Sequence, residues 1–275
     1  MLKPWMSAVA VLIFSTLLFA QPHPNLNTTA GVHPPDSSCA FTFVSGTGHG
    51  LTQYCVTGNG NIAQFSAVGG NGLPTEFLST FGPAIEGYGL CAANALIPYW
   101  DYAQNDSGNW NTATAVLTNP NTVVITRTTA DGVWKLVQTI TQLKGTRTSY
   151  GAAKITVAIT NLSTTDTVII FNRHAHIEAG ATLNDYDVTQ TTAFGMVPGG
   201  SGLSSTASFV TTAFDFSIGF VMTAPGGPGP NPCESFPIQG GQQAFFQGDG
   251  AAEQVFDLDI GPGKTKTVTV TYRPI

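Results

Sequence analysis

Charge is scarce in this chain: Asp, Glu, Lys and Arg together make up 9% of its 275 residues, against about a quarter in an average soluble domain. The ten Lys and Arg residues form no cluster, so neither a nucleic-acid backbone nor an anionic membrane surface finds a matching patch. Long apolar runs are missing too. Nothing reaches the ~18 consecutive apolar residues of a membrane span, and no membrane span is expected in the mature chain. Apolar residues nowhere recur at helical spacing, apart from a faint trace between Thr75 and Leu78, so helix should be minimal. There is no C-x-x-C pair, no G-x-S-x-G elbow, no H-E-x-x-H motif and no phosphate-cradling glycine loop, which removes the commonest signatures of zinc-cysteine centres, serine hydrolases, zinc proteases and nucleotide binders. No fixed repeat is present, which disfavours propellers and solenoids.

What replaces charge is neutral polarity: Thr, Ser, Asn, Gln and Gly supply the solubility. The formal charge of −6 becomes −7 without Lys3. Hydrophobic residues at 42% suffice for a large core and exclude global disorder. The chain opens with Lys3 and the apolar run Ala8 to Phe19, which has the length of a signal-peptide core, and Ala20 offers a small residue for cleavage. Residues 1–20 are thus expected to be a signal peptide, 21–38 a flexible leader rich in proline, and 39–275 a single β-sandwich domain. The expected location is secreted, extracellular or periplasmic. Four cysteines in an exported chain favour two disulfides. The glycine-rich segment between Cys39 and Cys55 reads as a hairpin that a bridge can close, which leaves Cys91 for Cys233; the other two pairings stay open.

From Cys39 onward the signal is two-residue alternation broken by glycine and asparagine, the pattern of an all-β, large two-sheet antiparallel β-sandwich of about a dozen strands. In Lys154 to Asn161, Ile155, Val157 and Ile159 share one face. Val123 to Thr128 and Val133 to Gln142 flank Asp131-Gly132, a hairpin signal because both residues accept positive φ. Thr167 to His176 forms a long strand. Further strands are expected at 40–44, 53–57, 62–67, 87–91, 183–192, 208–216, 218–223, 254–260 and 265–273, the last two as a hairpin over Gly261-Pro262-Gly263. Ala224 to Pro232 reads as a surface loop whose far end Cys233 staples. Sequons at Asn27, Asn105 and Asn161 are compatible with surface loops.

Three constellations have chemical potential. On an extended strand His174, His176 and Asn172 point one way and Arg173 the other; two imidazoles two residues apart can grip a divalent metal, with Glu178 as a third ligand. The plainer alternative is a hydrogen-bonded sheet face. Tyr99, Trp100, Tyr102 and Trp110 surround Asn105 and Asp106, and flat rings beside amides and carboxylates are what sugar recognition needs. Against that, sandwich tryptophans often fill cores. Asn184-Asp185-Tyr186-Asp187, with Asp257 and Asp259 elsewhere, provides carboxylates two apart, suited to a glycosidase pair, a calcium site or a solvated edge.

The stretches Glu86 to Cys91, Ser107 to Trp110, Arg127 to Trp134 and Asn172-Arg173-His174 resemble those of uncharacterised secreted bacterial β-sandwich proteins; the resemblance implies export and a sandwich. Strand count and a strand-borne histidine near a Glu resemble galactose-mutarotase-like sandwiches in architecture. The leading expectation is a non-catalytic secreted protein that binds a ligand or partner, glycans or cell-surface components first among them. The alternatives are a carbohydrate-active or metal-dependent enzyme centred on His174, His176 and Glu178, or a structural or adhesive surface protein.

Overall fold

The computed structural model describes residues 39–68, 72, 74–78, 86–93, 95–103, 105–146, 148–177, 184–188, 192–196, 202–209, 218–223, 231–233, 244–248 and 251–275. The expected signal peptide (1–20), the leader (21–38) and most of the 224–232 loop lie outside these. The strands are β1 (Cys39–Ser45), β2 (Thr52–Thr57), β3 (Ile62–Val68), β4 (Pro74–Glu76), β5 (Glu86–Ala92), β6 (Ile97–Tyr102) and β7 (Asn105–Asp106). Next come β8 (Thr114–Asn119), β9 (Thr122–Thr128), β10 (Trp134–Leu143), β11 (Ala152–Asn161) and β12 (Thr167–His176). The last are β13 (Asn184–Val188), β14 (Thr192–Met196), β15 (Gly202–Phe209), β16 (Ile218–Thr223), β17 (Ala244–Gly248), β18 (Ala251–Ile260) and β19 (Thr265–Pro274). The only helical element among the described residues is a 3₁₀ turn at Gly48–Gly50, and no described helix is long and apolar enough to cross a membrane.

The all-β antiparallel sandwich expected from alternation is what the chain forms, with more strands than the dozen expected and with its ladders grouped into three sheets rather than two. A four-stranded sheet runs β1-β2-β3-β4, a six-stranded sheet β16-β18-β12-β5-β6-β7, and a nine-stranded sheet β17-β13-β14-β15-β19-β11-β10-β9-β8. In the nine-stranded sheet, β9, β10, β11 and β19 alternate buried and half-exposed residues. Ile155, Val157 and Ile159 are all fully buried and pack with Val123, Ile125, Leu136, Ile140, Val268 and Val270 in one core cluster. Both disulfides pair as the sequence favoured: Cys39 with Cys55 across the β1–β2 hairpin, and Cys91 with Cys233.

Several expectations are corrected. Gly261-Pro262-Gly263 does not close a hairpin: β18 pairs with β12 and β16, while β19 pairs with β11 and β15, so the chain crosses there from one sheet to another. The 183–192 stretch is divided between β13 and β14, which pair with each other; of the expected 208–216 strand, Ser208 and Phe209 end β15 (Gly202–Phe209), and 210–216 lie outside the described residues. The hairpin expected over Ala130-Asp131-Gly132 does form, between β9 and β10, but only Gly132 takes positive φ (71°); the Asp131 carboxylate accepts from Val133 N–H at 3.0 Å within the turn. Asn161 is no surface acceptor. Its buried amide donates to the Thr165 and Ile260 carbonyls at 2.8 and 2.7 Å, tying the β11–β12 crossing to the end of β18.

Where the sheets meet, the core is polar. The Arg173 guanidinium donates to Glu86 Oε1 (2.6 Å), Gln138 Oε1 (2.7 Å) and the Gly60 carbonyl (3.0 Å). Glu86 also accepts from the Ile62 amide (2.5 Å) and the Tyr272 hydroxyl (2.9 Å). Burial pushes the Glu86 carboxyl up, against the opposing charge of Arg173. We expect Arg173→Met, which strands Glu86 without its counter-charge, to cost about 3–5 kcal/mol. The drop should show as a lower urea midpoint, and adding Glu86→Gln should recover part of it; equal loss in single and double variants would mean that the pair does not act as one unit.

Candidate functional site

The inward-facing charges dictate what the opposite face of the six-stranded sheet presents. On β12, Phe171, Arg173 and Ala175 turn into the core, so Asn172 and His174 face the other way. On β6, Tyr99 and Asp101 turn inward, and Trp100 and Tyr102 share the opposite face. Between them lies β5, whose large residues Glu86, Tyr88 and Leu90 fill the core while Gly87, Gly89 and Cys91 face outward. The ladder register then gives one row across the sheet, Tyr102–Gly87–His174–Glu253, and beside it a second, Trp100–Gly89–Asn172–Val255.

The glycines are required by close approach. A Cβ on Gly87 would meet Tyr102 Cδ1 at 2.8 Å and the Asp101 carbonyl at 2.0 Å. With no side chain there, the Tyr102 ring reaches over β5 and meets the His174 ring edge-on, centroids 5.6 Å apart. Trp100 stacks on Tyr102 at 5.3 Å with 19° between the planes. Asn172 Nδ2 donates to Glu253 Oε1, and Tyr102 is hydrogen-bonded to the Asn172 side chain. Burial chiefly, then the Glu253 charge, lifts the Tyr102 phenol well above its ordinary range. A Cβ on Gly89 would lie 2.5 Å from Asn172 Oδ1 and 3.0 Å from Pro232 Cβ and Cγ, so the segment held by the Cys91–Cys233 bond rests directly beside this cluster. The result is a stacked aromatic pair flanked by amide, imidazole and carboxylate groups; Tyr102, Asn172, His174 and Glu253 are buried and Trp100 is half-buried, so the Trp100 ring is the member of the cluster that meets solvent and can stack on a sugar ring.

The sequence-predicted residues divide between the two sides. Trp100 and Tyr102 join His174 and Asn172. Tyr99 lies in the core and donates to Asp131 Oδ2 at 2.5 Å. Trp110 is 8% exposed, edge-on to Tyr88 and Tyr99 and beneath the Arg127 guanidinium at 5.2 Å. Asp106 accepts from Arg127 at 2.8 Å, and Arg127 also pairs with buried Asp101. Asn105 pairs through its backbone with Tyr102. His176 is half-buried opposite Ala251, and Glu178 lies outside the described residues. Asp185 and Asp187 sit on β13; burial, then the neighbouring Asp259, raises the Asp257 carboxyl. Among the described residues no three His, Cys, Asp or Glu converge to hold a metal. Glu253 was missed because Ala251 to Ile260 has no motif around it. Only the β12–β18 register brings it opposite His174.

No family model and no curated protein matches the chain, whereas solved structures share its fold. A bacterial glucoamylase complexed with acarbose matches at TM-score 0.50 and 7% identity, over 88% of this chain and 34% of its own. The Slr1438 protein from Synechocystis sp. PCC 6803 matches at TM-score 0.47 and 10% identity, over 88% of this chain and 99% of its own. A protein assigned as an aldose 1-epimerase from Escherichia coli K12 matches at TM-score 0.42 and 10% identity, over 86% and 99%. At such identities the likeness is one of fold, and this chain spans about a third of the glucoamylase's length.

Two carboxyls close to this sheet are pushed up by burial: Asp101 to about 6, opposed by Arg127, and Glu76 to about 7, opposed by the Phe65 amide and other donors. Their folded values exceed the unfolded ones, so each contributes stability that is fully present below the ordinary carboxylate value and is lost as pH rises through the folded value. The unfolding free energy measured in urea should therefore be higher at pH 5 than at pH 8, by about 4 kcal/mol if both groups contribute in full. Glu76→Gln should flatten the profile; an unchanged slope in that variant would exclude Glu76 as a source.

Proposed function

We propose that this chain is a secreted carbohydrate-binding β-sandwich, exported by residues 1–20 and folded as one unit from Cys39 onward, with its ligand held at Trp100, Tyr102, Asn172, His174 and Glu253. The observation that carries the reading is the pair of adjacent rows that unites two clusters far apart in sequence, the aromatic pair of β6 and the Asn–His pair of β12, across a strand whose positions in those rows are Gly87 and Gly89. The fold, shared with a glucoamylase complexed with acarbose, and the two disulfides, which fit an extracellular or periplasmic protein, support it. Stacking by Trp100 supplies ring-face affinity, and the neighbouring polar groups select hydroxyl positions.

Retention on a panel of insoluble polysaccharides tests the proposal. Trp100→Ala should lose at least about tenfold in affinity, equivalent to ~1.4 kcal/mol, with little change in melting temperature. Trp110→Ala, which empties the core beneath Arg127, should instead cost about 3–5 kcal/mol of stability. Wild-type protein that passes every glycan unretained, or Trp100→Ala that binds as wild type, overturns the reading.

A second reading, acid–base chemistry on the bound sugar, is favoured by one observation: Glu253 stands directly opposite His174 in the β12–β18 ladder. An imidazole and a carboxylate on one face are the pair that proton transfer to and from sugar oxygens needs. His174→Gln and Glu253→Gln should then abolish turnover of the retained sugar, a loss well beyond any weakening of its retention. Binding without turnover in the wild type leaves the non-catalytic reading in place.

A further inference from the structure

At the end of the nine-stranded sheet, β8 has one ladder partner among the described residues, β9. Five of its six residues are exposed. Val116 is 53% and Leu117 50% exposed, and adjacent strand residues point to opposite faces, so β8 shows apolar surface on both sides as well as an open backbone edge. Edge strands are commonly guarded by charge, proline or an inward-turned bulge. Here no charged residue occurs from Asn111 to Thr126. Pro120 sits beyond the strand, and the one irregularity of the β8–β9 ladder lies at its turn end, between Leu117 and Asn119.

We propose that β8 is the interface for a second copy of this chain, the two strands pairing antiparallel about a two-fold axis near Val116 and joining two nine-stranded sheets into one. The choice of occupant rests on self-complementarity. A two-fold contact sets each position against its mirror position and the residue on the axis against its own copy; β8 carries no charge that could be set against a like one. Read from either end, Thr114-Ala115-Val116-Leu117-Thr118 is threonine, apolar, valine, apolar, threonine. Antiparallel pairing about Val116 therefore places Thr114 against Thr118, Ala115 against Leu117 and Val116 against its own copy. The surface lies on a different sheet from the Trp100–His174 cluster and is independent of the carbohydrate reading.

Sedimentation velocity of the full chain over a dilution series is the test. The wild type should show a concentration-dependent dimer. Val116→Lys should raise the dimer dissociation constant by at least about tenfold with an unchanged melting temperature, since the exposed side chain supports nothing within its own copy. Leu117→Lys, on the opposite face of the strand, provides a second variant should the first fold poorly. Mixing Val116→Lys with Val116→Glu should restore a dimer that neither forms alone. A wild type that sediments as a monomer throughout, or Lys variants that dimerise as tightly as wild type, overturns the proposal.

Discussion

The buried ion pair between Arg173 and Glu86 is the constraint on which the arrangement of the sheets depends. Both side chains are fully withdrawn from water, and charges there are tolerated only with their hydrogen-bonding capacity filled. The partners come from every sheet. Gln138 and Tyr272 belong to the nine-stranded sheet, the Gly60 carbonyl and Ile62 amide to the β2–β3 region of the four-stranded one, and the pair itself to the six-stranded one. Apolar packing is non-directional and favours any close approach of greasy faces. The ion pair supplies the direction that apolar contact lacks, because a sheet displaced by one residue would leave a buried charge or amide unmatched.

That requirement reaches the opposite face through the two-residue period of a strand. With Arg173 committed to the core, Asn172 and His174 have no choice of side. Asp101 does the same for β6: its contact with Arg127 fixes it inward, and Trp100 and Tyr102 are turned outward together. The candidate site is thus a by-product of where the charges of the core must point. A single slip of register would exchange the two faces, taking Arg173 away from Glu86 and Trp100 away from Tyr102, which couples the integrity of the site to the stability of the polar core.

Alternation made the middle of the chain legible. Strands 167–176 and 218–223 coincide with β12 and β16, and Ile155, Val157 and Ile159 form the expected buried layer because β11 has one polar side and one apolar side. The glycine-rich segment between Cys39 and Cys55 revealed its own bridge. β8 stayed hidden for the opposite reason: with both faces exposed, Thr114 to Asn119 has no alternation to read. The false hairpin at Gly261 shows a further limit, since Gly-Pro-Gly marks a reversal of direction without saying whether the chain returns in the same sheet. Trp110 and Trp100 are chemically alike and close in sequence, and only the register of β6 and the Trp110–Thr129 bridge separates a core residue from a site residue. Glu253 follows from a pairing between strands some eighty residues apart, a distance over which local pattern carries no information.

The glycines of β5 and the long-range disulfide belong to one solution. A central strand with glycine at two outward positions forfeits side-chain packing and conformational entropy, so something else must cover its backbone. Over Gly87 the cover is Tyr102, reaching across to His174. Over Gly89 it is Pro232, on a short turn whose Cys233 lies 142 residues further along the chain from Cys91. The bond from Cys91 to Cys233, made from the next outward position of the same strand, removes much of the entropy of placing it. The proline then needs only the flat backbone of a glycine to rest against, and any larger residue at 89 would push it and Asn172 away together.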